Sequence, residues 1–161
     1  MRSTSCGFSD GESPGRDLLV HVGPTLIVDI GFDPDFVPAS SYGVPALAMK
    51  GVQALVDTGA TQSCIDSDLA MALGLPVVDQ ARIAGASGEK TVNMHLAQIY
   101  VPSLNHTVYG SFAAVDLAAG GQSHSALIGR TFLRDFRMMY DGQTGEVTIW
   151  DDSEPEQPPM L

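Results

Sequence analysis

At 161 residues, with 44% apolar and 17% charged side chains, the chain has the length and composition of one folded domain rather than of a disordered segment. Its 19 acidic against 8 basic residues give a formal net charge of -11, which repels phosphate backbones and anionic bilayers and sets aside nucleic acid and membrane surfaces as partners. No apolar run approaches the roughly 18 residues of a membrane helix, and the polar opening MRSTSCGFSDGESPGRD lacks the apolar stretch of a secretory leader, so a cytoplasmic location is expected.

Residues 1–18, rich in Ser, Gly and charge, read as a mobile N-terminal segment ahead of a folded domain at 19–150, and the acidic, Pro-rich run 151–161 reads as a second mobile end. Pro24 to Ile30 predicts a strand, followed by a loop punctuated by Pro34, Pro38, Gly43 and Pro45. Val52 to Val56 predicts a short apolar strand that ends at Asp57-Thr58-Gly59 and resumes at Ser63-Cys64-Ile65. Asp66-Ser67-Asp68 offers caps for a helix over Leu69 to Leu73, which Gly74 and Pro76 stop. From Ala81 to Val101 two β stretches flank Gly85-Ala86-Ser87-Gly88, which suits a hairpin tip. Further strands are predicted at Thr107–Asp116 and Ala126–Ile128, a helical turn at Thr131–Phe136, and a closing hairpin from Phe136–Tyr140 and Glu146–Trp150 around Asp141-Gly142. Many short strands and one or two short helices predict an all-β barrel or sandwich.

Cys6 and Cys64 make no disulfide framework, and His21, His95, His106 and His124 are scattered without metal-ligand spacing, so neither a metal nor a cofactor is expected. The run Leu55-Val56-Asp57-Thr58-Gly59-Ala60 is the part that suits chemistry. An apolar strand supports the loop from beneath, Asp57 supplies a carboxylate where that strand ends, and Gly59 lets a backbone or ligand approach closely. An ordinary β-turn also favours Asp and Gly at such positions.

The run resembles the active-site loop of retropepsin-like aspartic proteases, and two further segments follow in that family's order. The Gly85-Ala86-Ser87-Gly88 tip looks like a flap, and Ala126-Leu127-Ile128-Gly129-Arg130-Thr131-Phe132-Leu133 is similar to the family's apolar-apolar-Gly segment and short helix. The stretch Leu69–Pro76 and the hairpin ending at Trp150 look like cellular and bacterial members, and the resemblance spans roughly residues 24–150. It implies an acid-protease barrel with one lobe per chain and a C2 homodimer acting on a peptide or protein substrate. In it Asp57 is the catalytic carboxylate and Thr58 hydrogen-bonds across the dimer axis, with Gly59 in the same loop. Gly59, Ala60, Thr61 and Gly85 to Gly88 meet substrate, while Leu127, Ile128 and Gly129 lie beneath the loop. A single Asp-Thr-Gly implies two chains, because the chemistry requires two carboxylates and a C2 axis supplies the second.

Three other readings stand beside this one. The same fold can serve as a peptide-binding or dimerisation module without proteolysis. Asp57-Thr58-Gly59-Ala60-Thr61 also fits the phosphate loop of sugar kinases and actin, whose two α/β lobes exceed this chain's length and helix content. A Ser63 or Cys64 nucleophile with a histidine base has no flanking motif to support it.

Overall fold

The computed structural model describes residues 1–37, 43–85 and 88–152. The chain forms β1 (Arg2–Ser5), α1 (Gly15–His21), β2 (Thr25–Gly31), β3 (Met49–Val56), β4 (Cys64–Asp66), α2 (Ser67–Ala72), β5 (Val77–Gly85) and β6 (Gly88–Val101). A 3-10 turn at Pro102–Leu104 leads into β7 (His106–Val115), β8 (Ala126–Ile128), α3 (Arg130–Leu133), β9 (Arg137–Asp141) and β10 (Glu146–Asp151).

Six strands close into a barrel in the order β2-β3-β8-β4-β7-β6, because β6 pairs back onto β2 with Asp29 opposite Tyr100 and Gly31 opposite Gln98. Period-2 alternation turns one face of each strand inward. Leu26, Val28 and Ile30 of β2 meet Ala54 and Val56 of β3, Ile99 and Val101 of β6, and Ala126 and Ile128 of β8, all buried. Removing this apolar surface from water is the main drive for closure. β5 lies outside the ring, paired only with β6 from Val77 opposite His95 to Gly85 opposite Gly88. This all-β architecture, a six-stranded barrel with few short helices, agrees with the retropepsin-like barrel that the resemblance implies. Among the described residues no helix is long and apolar enough to cross a membrane.

The expected strands and both expected helical segments form within a few residues of their predicted places. α2 starts at Ser67, two residues ahead of the expected Leu69, because the buried Asp66, the first of the three offered caps, caps it, Oδ2 accepting from Leu69 N–H at 3.2 Å. The expectation at Pro38 and that at Ala86-Ser87 lie outside the described residues.

The ends require correction. Residues 1–18, expected mobile, build β1 and begin α1, a third helix. β1 pairs antiparallel with β10, from Arg2 opposite Asp151 to Ser5 opposite Thr148, and joins β9 in a three-stranded sheet of order β1-β10-β9. The link between β1 and α1 is packed as well. Cys6 N–H and Phe8 N–H donate to the carbonyls of Val147 and Gly145 at 2.9 and 2.8 Å. A Cβ at Gly7 would stand 2.3 Å from Val147 N, so the two backbones touch there. Cys6 and Leu19 are buried in the core. Asp151, placed in the acidic tail by its composition, is instead the buried last residue of β10; its carboxylate accepts from Arg2 Nε at 2.9 Å and from Arg2 Nη2. Residues 153–161 lie outside the described part.

Candidate active site

Asp57 follows directly on β3, and its loop is shaped by a strand that comes some seventy positions later in the chain. β8 runs parallel to β3, Leu55 opposite Leu127, and antiparallel to β4, Cys64 opposite Leu127. It therefore lies between the two strands that flank the loop 57–63. Asp57 N–H donates to the Ile128 carbonyl at 2.9 Å, carrying the β3–β8 ladder one residue past the strand.

The loop then turns on its own aspartate. Gly59 N–H donates to Asp57 Oδ1 at 2.8 Å, and Ala60 N–H donates to the Asp57 carbonyl at 3.2 Å. Among the described residues, Gly59 N–H is the carboxylate's one recorded hydrogen-bond donor. Asp57 is half-buried, Ala60 likewise, and Thr58, Gly59 and Thr61 are exposed, so the carboxylate stands at an open rim on a backbone fixed from below.

The anchors of that backbone are Ser63, Gly129 and Arg130. Ser63 is buried, and its Oγ accepts from Gly129 N–H at 3.0 Å. A Cβ at Gly129 would lie 2.6 Å from Gln62 C and O, so only glycine lets α3 approach the loop. From the start of α3, Arg130 N–H and Thr131 N–H donate to the carbonyls of Ala60 and Thr61 at 2.9 and 3.0 Å. The Arg130 guanidinium adds two bonds, Nη1 to the Thr58 carbonyl at 2.8 Å and Nη2 to Thr61 Oγ1 at 3.0 Å. The clamp leaves the Thr58 hydroxyl without a recorded partner among the described residues. Sequence reasoning missed Arg130 and Ser63 as site residues; the placement of Arg130 directly after Ile128-Gly129 was the available signal.

Of the three residues expected beneath the loop, Ile128 is fully buried and Gly129 lies against the loop backbone. Leu127 is half-buried and stands opposite Leu55. Strand alternation puts both on the face that carries Asp57, where they form an apolar floor beside the carboxylate. Gly85 and Gly88 form the last described rung of the β5–β6 hairpin, both exposed, with Gly88 at a φ of 104° that disfavours any side chain. At the far end of the loop a cleft of about 300 Å³ is lined by Gln62, Ser63, Tyr109, Phe112 and Thr131; Asp57 is not among its walls.

The local electrostatics separate Asp57 from the nearby nucleophile candidates. Burial pushes the Cys64 thiol up to about 11, a backbone hydrogen bond to Leu127 opposes this, and the charge of Asp57 adds to it. Such a thiol stays protonated and inert. Ser63 is committed to Gly129, and His95 and His124 are buried against Leu75 O and Thr25 Oγ1, at 2.9 and 2.8 Å. Among the described residues no group of three or more His, Cys, Asp or Glu is placed to hold a metal ion.

The family model of gag-polyprotein putative aspartyl proteases matches residues 47–135, which run from just before β3 to just after α3 and include the Asp57 loop, the β5–β6 hairpin and β8. No curated protein matches the chain. With more than half of the sequence matched, and the carboxylate loop inside the match, the chain belongs to the gag-polyprotein putative aspartyl protease family, a retropepsin-like aspartyl protease domain.

Proposed function

We propose that the chain is an aspartic endopeptidase that works as a C2 homodimer, each copy contributing Asp57 to a shared pair of carboxylates. The observation that carries this reading is the Asp57 loop itself: one carboxylate at an open rim, held by the Gly59 N–H, on a backbone pinned by β8 and by Arg130. One such carboxylate lacks the acid or the base that amide hydrolysis needs, and a two-fold axis provides the other.

In the dimer, two carboxylates at contact distance hold one proton between them, as is known of aspartic-protease dyads generally. The ionised member takes a proton from a water molecule as that water attacks the peptide carbonyl. The protonated member donates to the carbonyl oxygen, giving a gem-diol; the proton gained by the first then passes to the leaving nitrogen as the C–N bond breaks, and a gem-diol hydroxyl returns its proton to the second member, restoring the singly protonated pair. Gly59 N–H holds one Asp57 oxygen in place through these exchanges. The exposed Thr58 hydroxyl reaches across the axis, Leu55 and Leu127 receive apolar substrate side chains, and the β5–β6 hairpin covers the bound peptide. Activity is highest at acid to mildly acidic pH and falls as the shared proton is lost.

The test is a mass-spectrometric cleavage profile on a peptide library, run with wild type and Asp57→Asn. Wild type is expected to cut and Asp57→Asn to be silent while remaining folded. Equal turnover by the two proteins removes Asp57 from the mechanism. A well-folded wild type that binds peptides and cuts none is a binding module instead.

A further inference from the structure

The β5–β6 hairpin reaches further than the sheet that carries it. β6 pairs with β7 from Met94 opposite Ala113 to Val101 opposite His106, while the stretch from Gly88 to Asn93 pairs only with β5. That stretch and its β5 partners, Gln80 to Gly85, form a two-stranded arm beyond the barrel's ladder, and a lone pair of strands is marginal in water. Its two faces differ. Strand alternation sets Ala81, Ile83, Lys90 and Val92 on one face and Arg82, Ala84, Glu89 and Thr91 on the other. Val92 is buried and Ala81 and Ile83 are half-buried, so the first face is turned to the barrel; the second is exposed throughout.

Of the four residues on the barrel-facing side, Lys90 carries a charge, and that charge is met. Its Nζ donates to Asp116 Oδ2, and Ser67 Oγ donates to Asp116 Oδ1 at 2.5 Å, so both carboxylate oxygens are used. Asp116 directly follows β7, and extending the β6–β7 register past Met94 and Ala113 would bring Lys90 level with Leu117. The ion pair therefore spans the gap where backbone pairing has stopped. Its barrel end is fixed. The buried Asp66 accepts through Oδ1 from Leu117 N–H and Ala118 N–H, both at 3.0 Å, and through Oδ2 from Leu69 N–H. Arg82 and Glu89 also pair, at 2.7 Å, but both belong to the hairpin and lie on its exposed face, so they stiffen the arm without tying it down. The hydrogen bonds from Lys90 and then Ser67 hold the Asp116 carboxyl below its ordinary value, so the pair keeps both charges in mildly acidic solution.

We propose that Lys90 and Asp116 form a latch by which each chain holds the free arm of its own β5–β6 hairpin against its own barrel. The purpose of the latch rests on the peptide-cleaving reading above, in which this hairpin covers the bound peptide; the contact itself lies within one chain. Lys90 and Asp116 are then positioning residues: they set how freely the cover lifts and act through it, not on the reacting atoms. Their side chains are 62% and 46% exposed, so the tie is weak and open to screening by salt. A weak tie suits a cover that lifts for each peptide.

The test reads the position of the arm directly. Spin labels are placed at Ala84→Cys, on the exposed face of the arm, and at Met71→Cys, 75% exposed on α2. The native thiols stay unlabelled, since burial pushes Cys6 up to about 12 and Cys64 up to about 11. Labelled chains are diluted into unlabelled ones, so that each separation measured by double electron–electron resonance lies within one chain. One short separation is expected to dominate in wild type. Lys90→Glu and Asp116→Lys should each raise the share of longer separations roughly two- to fivefold, and the double swap should return it to near the wild-type value. About 1 M NaCl should loosen the wild-type arm as either variant does, and should leave Lys90→Gln/Asp116→Asn unchanged. Separations indifferent to charge and salt, or a double swap that fails to recover, overturn the latch. In a peptide-cleavage assay on unlabelled chains, each single variant should raise KM roughly two- to fivefold with kcat within about twofold, and the swap should restore it. Arms that loosen and recover with no peptide cut leave the latch standing and sink the protease. Cleavage by chains whose arms are indifferent to Lys90 and Asp116 does the reverse.

Discussion

Gly129→Ala adds one methyl group where the backbone of the Asp57 loop leaves no room for it. Gly129 has φ -93°, which alanine adopts freely, so the effect is one of contact and not of torsion. The new Cβ would lie 2.6 Å from Gln62 C and O and 3.0 Å from the Ala60 carbonyl oxygen; ordinary contact begins near 3.4 Å, so α3 and the loop must part by about 0.8 Å. Three hydrogen bonds cross that gap, Gly129 N–H to Ser63 Oγ, Arg130 N–H to Ala60 O and Thr131 N–H to Thr61 O, at 3.0, 2.9 and 3.0 Å. Overpacking costs about 1–3 kcal/mol and each lost bond about 1 kcal/mol, so losing one or two gives a destabilisation of roughly 2–5 kcal/mol. For a chain of this size that lowers Tm by about 5–15 °C. Urea denaturation reads it as a lower midpoint at unchanged slope. Gly11→Ala, with nothing within 4 Å of its Cβ, serves as the control and is expected within about 0.5 kcal/mol of wild type. A Gly129→Ala protein as stable as that control would refute the claim that close backbone approach holds the loop.

Gly59→Ala should separate activity from stability: its Cβ meets only Asp57 Oδ1, at 3.0 Å, so the urea midpoint shifts by no more than about 1 kcal/mol while kcat falls roughly tenfold or more as the carboxylate is re-aimed. Unchanged kcat in Gly59→Ala would show that this oxygen tolerates displacement. Deleting residues 1–5 removes the β1 ladder and the Arg2–Asp151 pair, with an expected loss of at least about 3 kcal/mol in urea; a truncated chain of wild-type stability would restore the view of a dispensable end. Stability should also fall as pH drops below 6.5. His106 and His124 titrate below that ordinary value because burial disfavours their charged forms, helped at His106 by the nearby Arg2. The unfolded chain then binds more protons than the folded one, so their contribution is complete above pH 6.5 and declines beneath it. A urea midpoint that is flat or rises from pH 7.5 to 5.5 contradicts this, and replacing both histidines by Gln should flatten the slope.

The parts of the molecule legible in the sequence are those whose signals are local. The apolar run into Asp57-Thr58-Gly59 marks the end of a buried strand, Asp66 marks a helix start, and paired glycines mark the β5–β6 turn. β1 was hidden because its reason for existing lies elsewhere: four polar residues show no strand pattern, and pairing with β10, whose last residue is Asp151, is what makes them a strand. Arg130 was passed over for a similar cause. Its place directly after Ile128-Gly129 was legible, but its role appears only when α3 turns the guanidinium onto the Thr58 carbonyl. Leu127 was misplaced because a three-residue apolar run does not reveal which of its members face inward; the register with Leu55 decides that.

The insertion of β8 between β3 and β4 also bears on when the site comes into being. Neither β3 nor β4 hydrogen-bonds to the other, and what fixes the loop between them arrives only with Ala126–Ile128 and the helix after it. A chain emerging from the ribosome therefore carries Asp57 long before it can orient it. Contacts across such a sequence separation close slowly, since the entropy of the intervening segment must be overcome first. Assembly of the carboxylate loop belongs late in folding, after the β5–β6–β7 meander has formed from neighbours in sequence. That order keeps the Asp57 carboxylate unoriented until most of the barrel is in place.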